Sequence, residues 1–268
     1  MVKKKLILSS VLVLAFLISL QPVIAQIYFG ITPIRVEHSL NKGESITDIF
    51  YVRNNGTFPL RLKIFPENWY LGHNGNPVFV GSNSVDYSCR DWIKVNPQDF
   101  RIMPDEIKMV RYTITVPEDI PQAGYHASIS FENVPMSAAE KDRSQMVFSG
   151  KIAAAVYVKV GKVDIVGEII DLILHEEDNS HVCMLLVKNS GKTHFRTQGS
   201  IEISDNNGKK VLDVIIPNEV VLPESEREIK CKLKDKLSAG NYRALCTLDI
   251  GKEELLGLKK EILIQDEK

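Results

Sequence analysis

The sequence predicts an all-β protein made of two immunoglobulin-like β-sandwich domains in tandem, set at an angle to each other. Segments in which apolar and polar residues alternate recur along the chain, separated by Gly, Asn and Pro. This period of two is typical of antiparallel strands with one buried face. Three short motifs occur twice in the same order. They are an Asn-containing turn (53–56 and 188–191), a Pro before an acidic residue (104–105 and 223–224), and an Ala-Gly pair before a Tyr (123–125 and 239–242). Two copies of one pattern indicate two domains of the same kind.

Residues 1–25 are predicted to be a signal peptide. Lysines occupy positions 3–5, an apolar run covers 6–20, and Val23 and Ala25 supply the small residues that signal peptidase requires. An uncleaved membrane anchor is the alternative, but a run of about 15 residues is shorter than the ~20 that span a bilayer. We therefore expect an exported protein, periplasmic or extracellular, without stable membrane insertion after cleavage.

The first predicted domain covers 26–160. Its opening strand contains Pro33, which is tolerated at a sheet edge or bulge but not in a central strand. We expect an irregular section at 66–100, which is rich in Gly, Asn and Ser, and a flexible hairpin loop at 132–145. The strand after that loop is the longest, with Gly150 as a candidate bulge. The predicted strands are 29–37, 46–53, 60–65, 107–116, 125–131 and 146–160.

The second predicted domain covers 161–268, and its short connector at 161–164 indicates a stiff pair of domains. An Asp-Asn-Asn-Gly sequence at 205–208 predicts a hairpin turn. Tyr125 and Tyr242, each shortly after an Ala-Gly pair, resemble the tyrosine corner of such sandwiches. The predicted strands are 165–174, 181–188, 199–204, 211–216, 228–233, 242–249 and 258–264.

Three of the four cysteines are predicted to point into the core of the second domain. Cys183 and Cys246 lie on strands that correspond to B and F of an immunoglobulin-like sandwich, where a disulfide is common. An exported protein permits this bridge. The alternative, which the odd third residue Cys231 favours, is that all are buried free thiols acting as small hydrophobic groups.

The sequence gives no support for catalysis, a metal or a cofactor. The six histidines are spread singly, and neither a nucleophile motif nor a phosphate-binding loop is present. The 33 basic and 34 acidic residues are also scattered, whereas nucleic acid and anionic membranes are bound by concentrated basic charge. We therefore expect a protein that is not an enzyme and binds no nucleic acid.

Two features indicate binding to another protein. Arg35 on the first strand is either a solvent-facing arginine at a sheet edge or a cation in the cleft between the domains, where it can bind a carboxylate. The strand that begins with Met146 and Phe148 is either ordinary core or an edge that lends backbone hydrogen bonds to a partner.

Together these features resemble the PapD-like periplasmic chaperones of pilus and fimbrial assembly, of which this chain looks like a divergent member. The resemblance implies that Arg35 anchors the C-terminal carboxylate of a pilin-like subunit and that Met146, Phe148 and Ile152 belong to the donated strand. The family's second cation, a lysine, falls near Ala153; Lys151 lies two residues away and is the candidate for its role.

The resemblance also implies an outer-membrane usher as a second partner, and it leaves open a self-capping dimer. The alternative function is that of an extracellular immunoglobulin-like structural or adhesive protein that binds a cell-surface partner. A chaperone requires Arg35 in the interdomain cleft and a free edge on the 146–152 strand, whereas an adhesive protein requires neither.

Overall fold

The computed structural model describes residues 29–72, 75–82, 85–134, 150–177 and 180–265, and these form two β-sandwiches. The prediction of an all-β protein with two immunoglobulin-like domains is thus confirmed. The predicted signal peptide at 1–25 lies outside the described residues. A single 3₁₀ turn, Arg90–Trp92, interrupts the described strands. The strands are β1 (Phe29–Thr32), β2 (Arg35–Leu40), β3 (Ser45–Asn54), β4 (Leu60–Leu71), β5 (Pro77–Gly81), β6 (Ile93–Asn96), β7 (Asp99–Ile102), β8 (Ile107–Thr115), β9 (Gly124–Val134), β10 (Lys151–Val160), β11 (Gly167–Glu177), β12 (Ser180–Asn189), β13 (Phe195–Arg196), β14 (Gln198–Asp205), β15 (Lys210–Ile216), β16 (Val220–Val221), β17 (Ser225–Lys232), β18 (Gly240–Asp249) and β19 (Leu256–Ile264).

The first sandwich packs a sheet of order β1-β3-β8-β6 against one of order β2-β10-β9-β4-β5, in which β7 also pairs with β4. The predicted first strand divides after Thr32, so that β1 joins the first sheet and β2 the second. Phe50, Tyr112 and Phe131 are fully buried between the sheets. The rings of Phe50 and Phe131 meet edge to face at 5.6 Å, a favourable aromatic geometry.

The expectation of an irregular section at 66–100 is wrong in part. β4 continues to Leu71, and β5, β6 and the start of β7 lie within that section, whereas residues 85–92 form no named strand. These three strands have four or five residues each, too few for a period of two to be distinguished from the polar residues around them. Of the loop predicted at 132–145, the first residues extend β9 to Val134, and 135–145 lie outside the described residues.

The second sandwich packs a sheet of order β11-β12-β17 against one of order β15-β14-β18-β19, with β13 and β16 paired at one end. Both predicted tyrosine corners form. The hydroxyl of Tyr125 donates to the carbonyl of Pro121 at 2.8 Å, and that of Tyr242 donates to the carbonyl of Ser238 at 3.0 Å. In each domain this bond fixes the loop that enters the strand.

A buried asparagine explains why the turn motif is repeated. Asn189 is 1% exposed, and its side-chain Nδ2 donates to the carbonyls of Thr193 and Val221 while its Oδ1 accepts from the Gly191 N–H. Asn54 forms the same pattern in the first domain, with the carbonyls of Phe58 and Ile102 and the N–H of Gly56. Because Ile102 and Val221 each lie two residues before the proline of a Pro-acidic turn, one side chain joins two motifs of the repeat in each domain.

The disulfide between Cys183 and Cys246, one of the two alternatives that the sequence suggested, is not formed. Both cysteines are buried free thiols, as are Cys89 and Cys231. Cys183 lies opposite Cys231 on the neighbouring strand, while Cys246 belongs to the facing sheet. Burial raises the pKa of Cys183 to about 12 and that of Cys246 to about 11, so the protonated thiols pack as small apolar groups.

The two domains meet through a small apolar cluster of their own. Trp69 and Tyr157 of the first domain pack with Val220 and Leu222 of the second, and all four are at most 6% exposed. The Trp69 and Tyr157 rings meet edge to face at 6.2 Å. The second domain therefore covers and buries part of the outer face of the second sheet of domain one.

Polar contacts fix the same interface. The Gly124 N–H donates to the Lys192 carbonyl at 2.7 Å, and a Cβ on Gly124 would lie 2.4 Å from Thr193 Oγ1. On the other side, Arg227 donates from Nη2 to the Gly75 carbonyl at 3.3 Å.

In the part of the chain that the structure describes, no helix is long and apolar enough to cross a membrane.

Candidate functional site

The face of the β2-β10-β9-β4 sheet that turns towards the second domain carries a polar row. Sheet register places Arg35 opposite Ala155, Ala155 opposite Ser128, and Ser128 opposite Glu67. Side chains at alternate positions of a strand share a face, and Ala155 contacts the interdomain cluster, so this row faces the cleft. Ser128 is 2% exposed and Glu67 is 7% exposed, whereas Arg35 is exposed, so the accessible end of this row is the one at Arg35.

Arg35 is paired with a carboxylate two residues further along its own strand. Its Nε lies 3.1 Å from Oε1 of Glu37, and both side chains are about half exposed. The Nε of Arg196, on β13 of the second domain, donates to the same Glu37 oxygen at 3.4 Å. One carboxylate oxygen thus joins a guanidinium from each domain.

An aromatic stack lies beside these charges. The Tyr157 and His194 rings are 4.3 Å apart, and the Arg196 guanidinium lies 5.6 Å from the Tyr157 ring centroid. Burial lowers the pKa of His194 to about 4 and raises the pKa of Tyr157 to about 12. Both rings are therefore neutral near pH 7, and the cations of the cleft carry its positive charge.

Lys151 lies away from Arg35. Its Nζ is 2.8 Å from Oε2 of the buried Glu67, which also accepts from Ser130 Oγ at 2.7 Å, and 4.3 Å from the Phe79 ring centroid. Lys151 precedes Ala155, the residue opposite Arg35, by four positions on β10, about 13 Å along a strand. The structure thus does not bring together the two cations that the sequence suggested as a pair.

The N-terminal part of β10 has an open edge. β9 pairs with residues 151–159 on one side, but β2 pairs only with 155–160 on the other. Of the strands that the structure describes, none pairs with residues 151–154 on the side of β2. Arg35 is the first residue of β2 and stands at the end of this open edge.

The predicted donor residues are placed only in part. Ile152 is partly buried and packs against the first core, on the same side of β10 as Ala154 and Val156. Met146 and Phe148 lie outside the described residues. Ordinary core packing therefore holds for the described part of this strand, and its open edge leaves backbone groups available to a partner.

Sequence reasoning missed Glu37, Arg196 and Glu67 as members of the cleft. The spacing of Arg35 and Glu37 already places them on one face of a strand, so this pair was readable in the sequence. Arg196 reaches the cleft only because of how the domains pack. Among the described residues, no group of three or more His, Cys, Asp or Glu is arranged to hold a metal ion.

Fimbrial chaperones, the class of protein that the sequence resembles, are among the solved structures to which this chain is similar. The class 5 fimbriae chaperone CfaA is 17% identical over 88% of this chain and 100% of that chain, with a TM-score of 0.47. A chain of the CsuC–CsuE chaperone–tip adhesion subunit complex of Acinetobacter baumannii is 14% identical over 85% and 97%, with a TM-score of 0.46.

A chain of the complex between the Salmonella enterica SafA pilin and the SafB chaperone is 14% identical over 90% of this chain and 99% of that chain, with a TM-score of 0.43. No protein-family model and no curated protein matches the chain. The likeness concerns the fold.

Proposed function

We propose that this protein is an exported chaperone of pilus-type subunits, which lends the edge of its 146–160 strand to an incomplete subunit and anchors the subunit's C-terminal carboxylate on Arg35. The observation that carries the proposal is the position of Arg35 at the end of the open edge of β10. A cation at that point lies next to the end of any client strand that pairs with residues 151–154 of β10 on the side of β2.

The direction of the client strand decides which terminus arrives there. β2 runs parallel to β10 and begins opposite Ala155. A client strand that pairs with residues 151–154 on the side of β2, and that also lies parallel to β10, ends in front of Arg35 with its carboxylate. A guanidinium can form two hydrogen bonds to that carboxylate, while the open edge satisfies the client's backbone groups.

The side chains of the lent strand supply the apolar part of the complex. Ile152, Ala154 and Val156 occupy the core side of β10, and the alternation continues towards Phe148 and Met146 in the sequence. A subunit that lacks one strand exposes a hydrophobic groove, and alternate apolar residues of a lent strand fill such a groove.

Co-purification of the full-length exported protein from its own host tests the proposal. Wild type is compared with Arg35→Ala and with a matched control, Arg53→Ala, an exposed arginine whose partner is Asp105 at 3.6 Å. We expect a β-rich subunit to accompany wild type and the control. Loss of charge-assisted bonds worth about 1.5–3 kcal/mol predicts roughly 10- to 100-fold less subunit with Arg35→Ala.

Two outcomes contradict the proposal. If no subunit accompanies wild type, the chaperone function is wrong for this protein. If the same partner accompanies wild type and Arg35→Ala in equal amounts, Arg35 anchors nothing, and binding by an adhesive or structural protein explains the complex better.

A further inference from the structure

The carboxylate of Glu37 occupies a position between two guanidinium groups that come from different domains. Its Oε1 is 3.1 Å from Arg35 Nε and 3.4 Å from Arg196 Nε. Each arginine approaches through a single nitrogen, so neither uses the two-pronged geometry that binds a carboxylate most strongly. The arrangement is that of an anion site filled by a side chain of the same protein.

We propose that Arg196 is the second cation of the carboxylate site and that Glu37 fills this site until the terminal carboxylate of a client displaces it. This inference rests on the proposed function and adds a residue and a mode of regulation to it. The two cations then come from opposite sides of the cleft, so that a bound carboxylate contacts the two domains at once.

Arg196 is held in place by its surroundings. It belongs to β13, where it lies opposite Val220 of β16, and its side chain is only 21% exposed. The Tyr157 ring lies 5.6 Å from its guanidinium carbon, and Asn218 Oδ1 lies 3.5 Å from its Nη1. A guanidinium that is already oriented loses little side-chain entropy when it binds a second carboxylate.

Lys151 does not compete for the role of second cation. Its ammonium group already pairs with Glu67, whose side chain is 9% exposed. Withdrawing Lys151 would leave a buried carboxylate without its partner, which is strongly unfavourable. Glu37, in contrast, is 46% exposed, and water can solvate its carboxylate after displacement.

Glu37 also explains how the cleft tolerates two cations. Without an anion between them, the guanidinium groups of Arg35 and Arg196 would repel each other across the domain interface. An internal carboxylate removes this repulsion, and it also competes with incoming carboxylates. Binding is therefore reserved for a client that gains additional contacts along the open edge of β10.

A side-chain NMR titration of the whole protein tests the inference with a defined probe. N-acetylvaline, which has a free carboxylate, is titrated into wild type and Glu37→Gln at constant ionic strength, and N-acetylvalinamide serves as the uncharged control probe. The Nε–H resonances are assigned with Arg35→Lys and Arg196→Lys. Glu106→Gln, which alters a pair with Lys108 at 3.6 Å, is the matched control variant.

We expect both Nε–H resonances of Glu37→Gln to shift with the acid and neither to shift with the amide. Half-saturation should occur at an acid concentration at least about fivefold lower in Glu37→Gln than in wild type, since a competing carboxylate worth about 1 kcal/mol has been removed. Glu106→Gln should behave as wild type does.

The alternative outcomes separate this inference from the proposed function. If only the Arg35 resonance shifts, Arg196 is not part of the site, while Arg35 remains an anchor. Equal half-saturation in wild type and Glu37→Gln overturns the role of Glu37. If neither resonance shifts, or if the amide acts as the acid does, the cleft is not a carboxylate site and the anchoring in the proposed function fails as well.

Discussion

Replacing Asn189 with Ala should destabilise the second domain by about 3 kcal/mol. The substitution removes two donations from Nδ2, to the carbonyls of Thr193 and Val221, and one acceptance from the Gly191 N–H. Each bond contributes about 1 kcal/mol net, and the partners left behind are buried without replacement. The side chain is 1% exposed, so water cannot readily take its place.

The loss should lower the Tm of the second domain by roughly 12 °C, at about 4 °C per kcal/mol for a domain of this size. Differential scanning calorimetry is the suitable assay because both tryptophans, Trp69 and Trp92, belong to the first domain and report mainly on its unfolding. Asn207→Ala is the matched control, since this asparagine is exposed in the turn between β14 and β15.

The control should change the free energy of unfolding by no more than about 0.5 kcal/mol. The reasoning is refuted if Asn189→Ala and Asn207→Ala have equal effects, because the buried bonds would then contribute nothing. Asn54→Ala extends the test to the first domain, where the same three bonds occur and where tryptophan fluorescence follows unfolding.

Two further predictions concern the domain interface. Burial lowers the pKa values of His126 and His194 to about 4 from the ordinary 6.5, so between these two pH values the unfolded state binds protons that the folded state does not. Their contribution to the free energy of unfolding is therefore fully present above about pH 6.5 and is lost towards about pH 4, by on the order of 3 kcal/mol per histidine. Urea titrations at several pH values should show a free energy of unfolding that depends less on pH in His194→Phe than in wild type. An equal pH dependence in the two proteins would contradict this. Gly124→Ala places a Cβ 2.8 Å from Thr193 Cα, whereas the nearest atom to a Cβ at Gly30 is 3.4 Å away. We expect the free energy of unfolding to fall by about 1–3 kcal/mol in Gly124→Ala and to change little in Gly30→Ala. Equal melting curves for the two variants would show that the domains separate at no cost.

The class of the fold and the faces of most strands could be predicted because alternation is a local property. The long strand that ends at Val160 shows this, since Ala154, Val156 and Val158 are all fully buried as the period of two requires. The short strands β5, β6 and β7 escaped prediction because four or five residues contain too few periods. Their pairing with longer strands, and not their own pattern, makes them strands.

The candidate site was predictable only where its residues are close in sequence. The sequence places Arg35 on the first strand, and Glu37 lies two positions away on the same face. It suggests Lys151 as a companion of Arg35 because Lys151 lies near the position of the lysine in the chaperones that the sequence resembles. The sheet register instead places Ala155 opposite Arg35, and Glu67 takes up the Lys151 ammonium group.

Local patterns were enough to predict that this protein is a pair of β-sandwiches. They also predicted where many of its turns fall and which side chains share a face of a strand. Those properties depend on the backbone geometry of a few neighbouring residues. The approach of Arg196 to Glu37 across the cleft and the open edge of β10 emerge only when the strands and domains pack. Register and domain packing are set by contacts between residues far apart in the chain, and a local pattern contains no information about which distant strand will lie beside it.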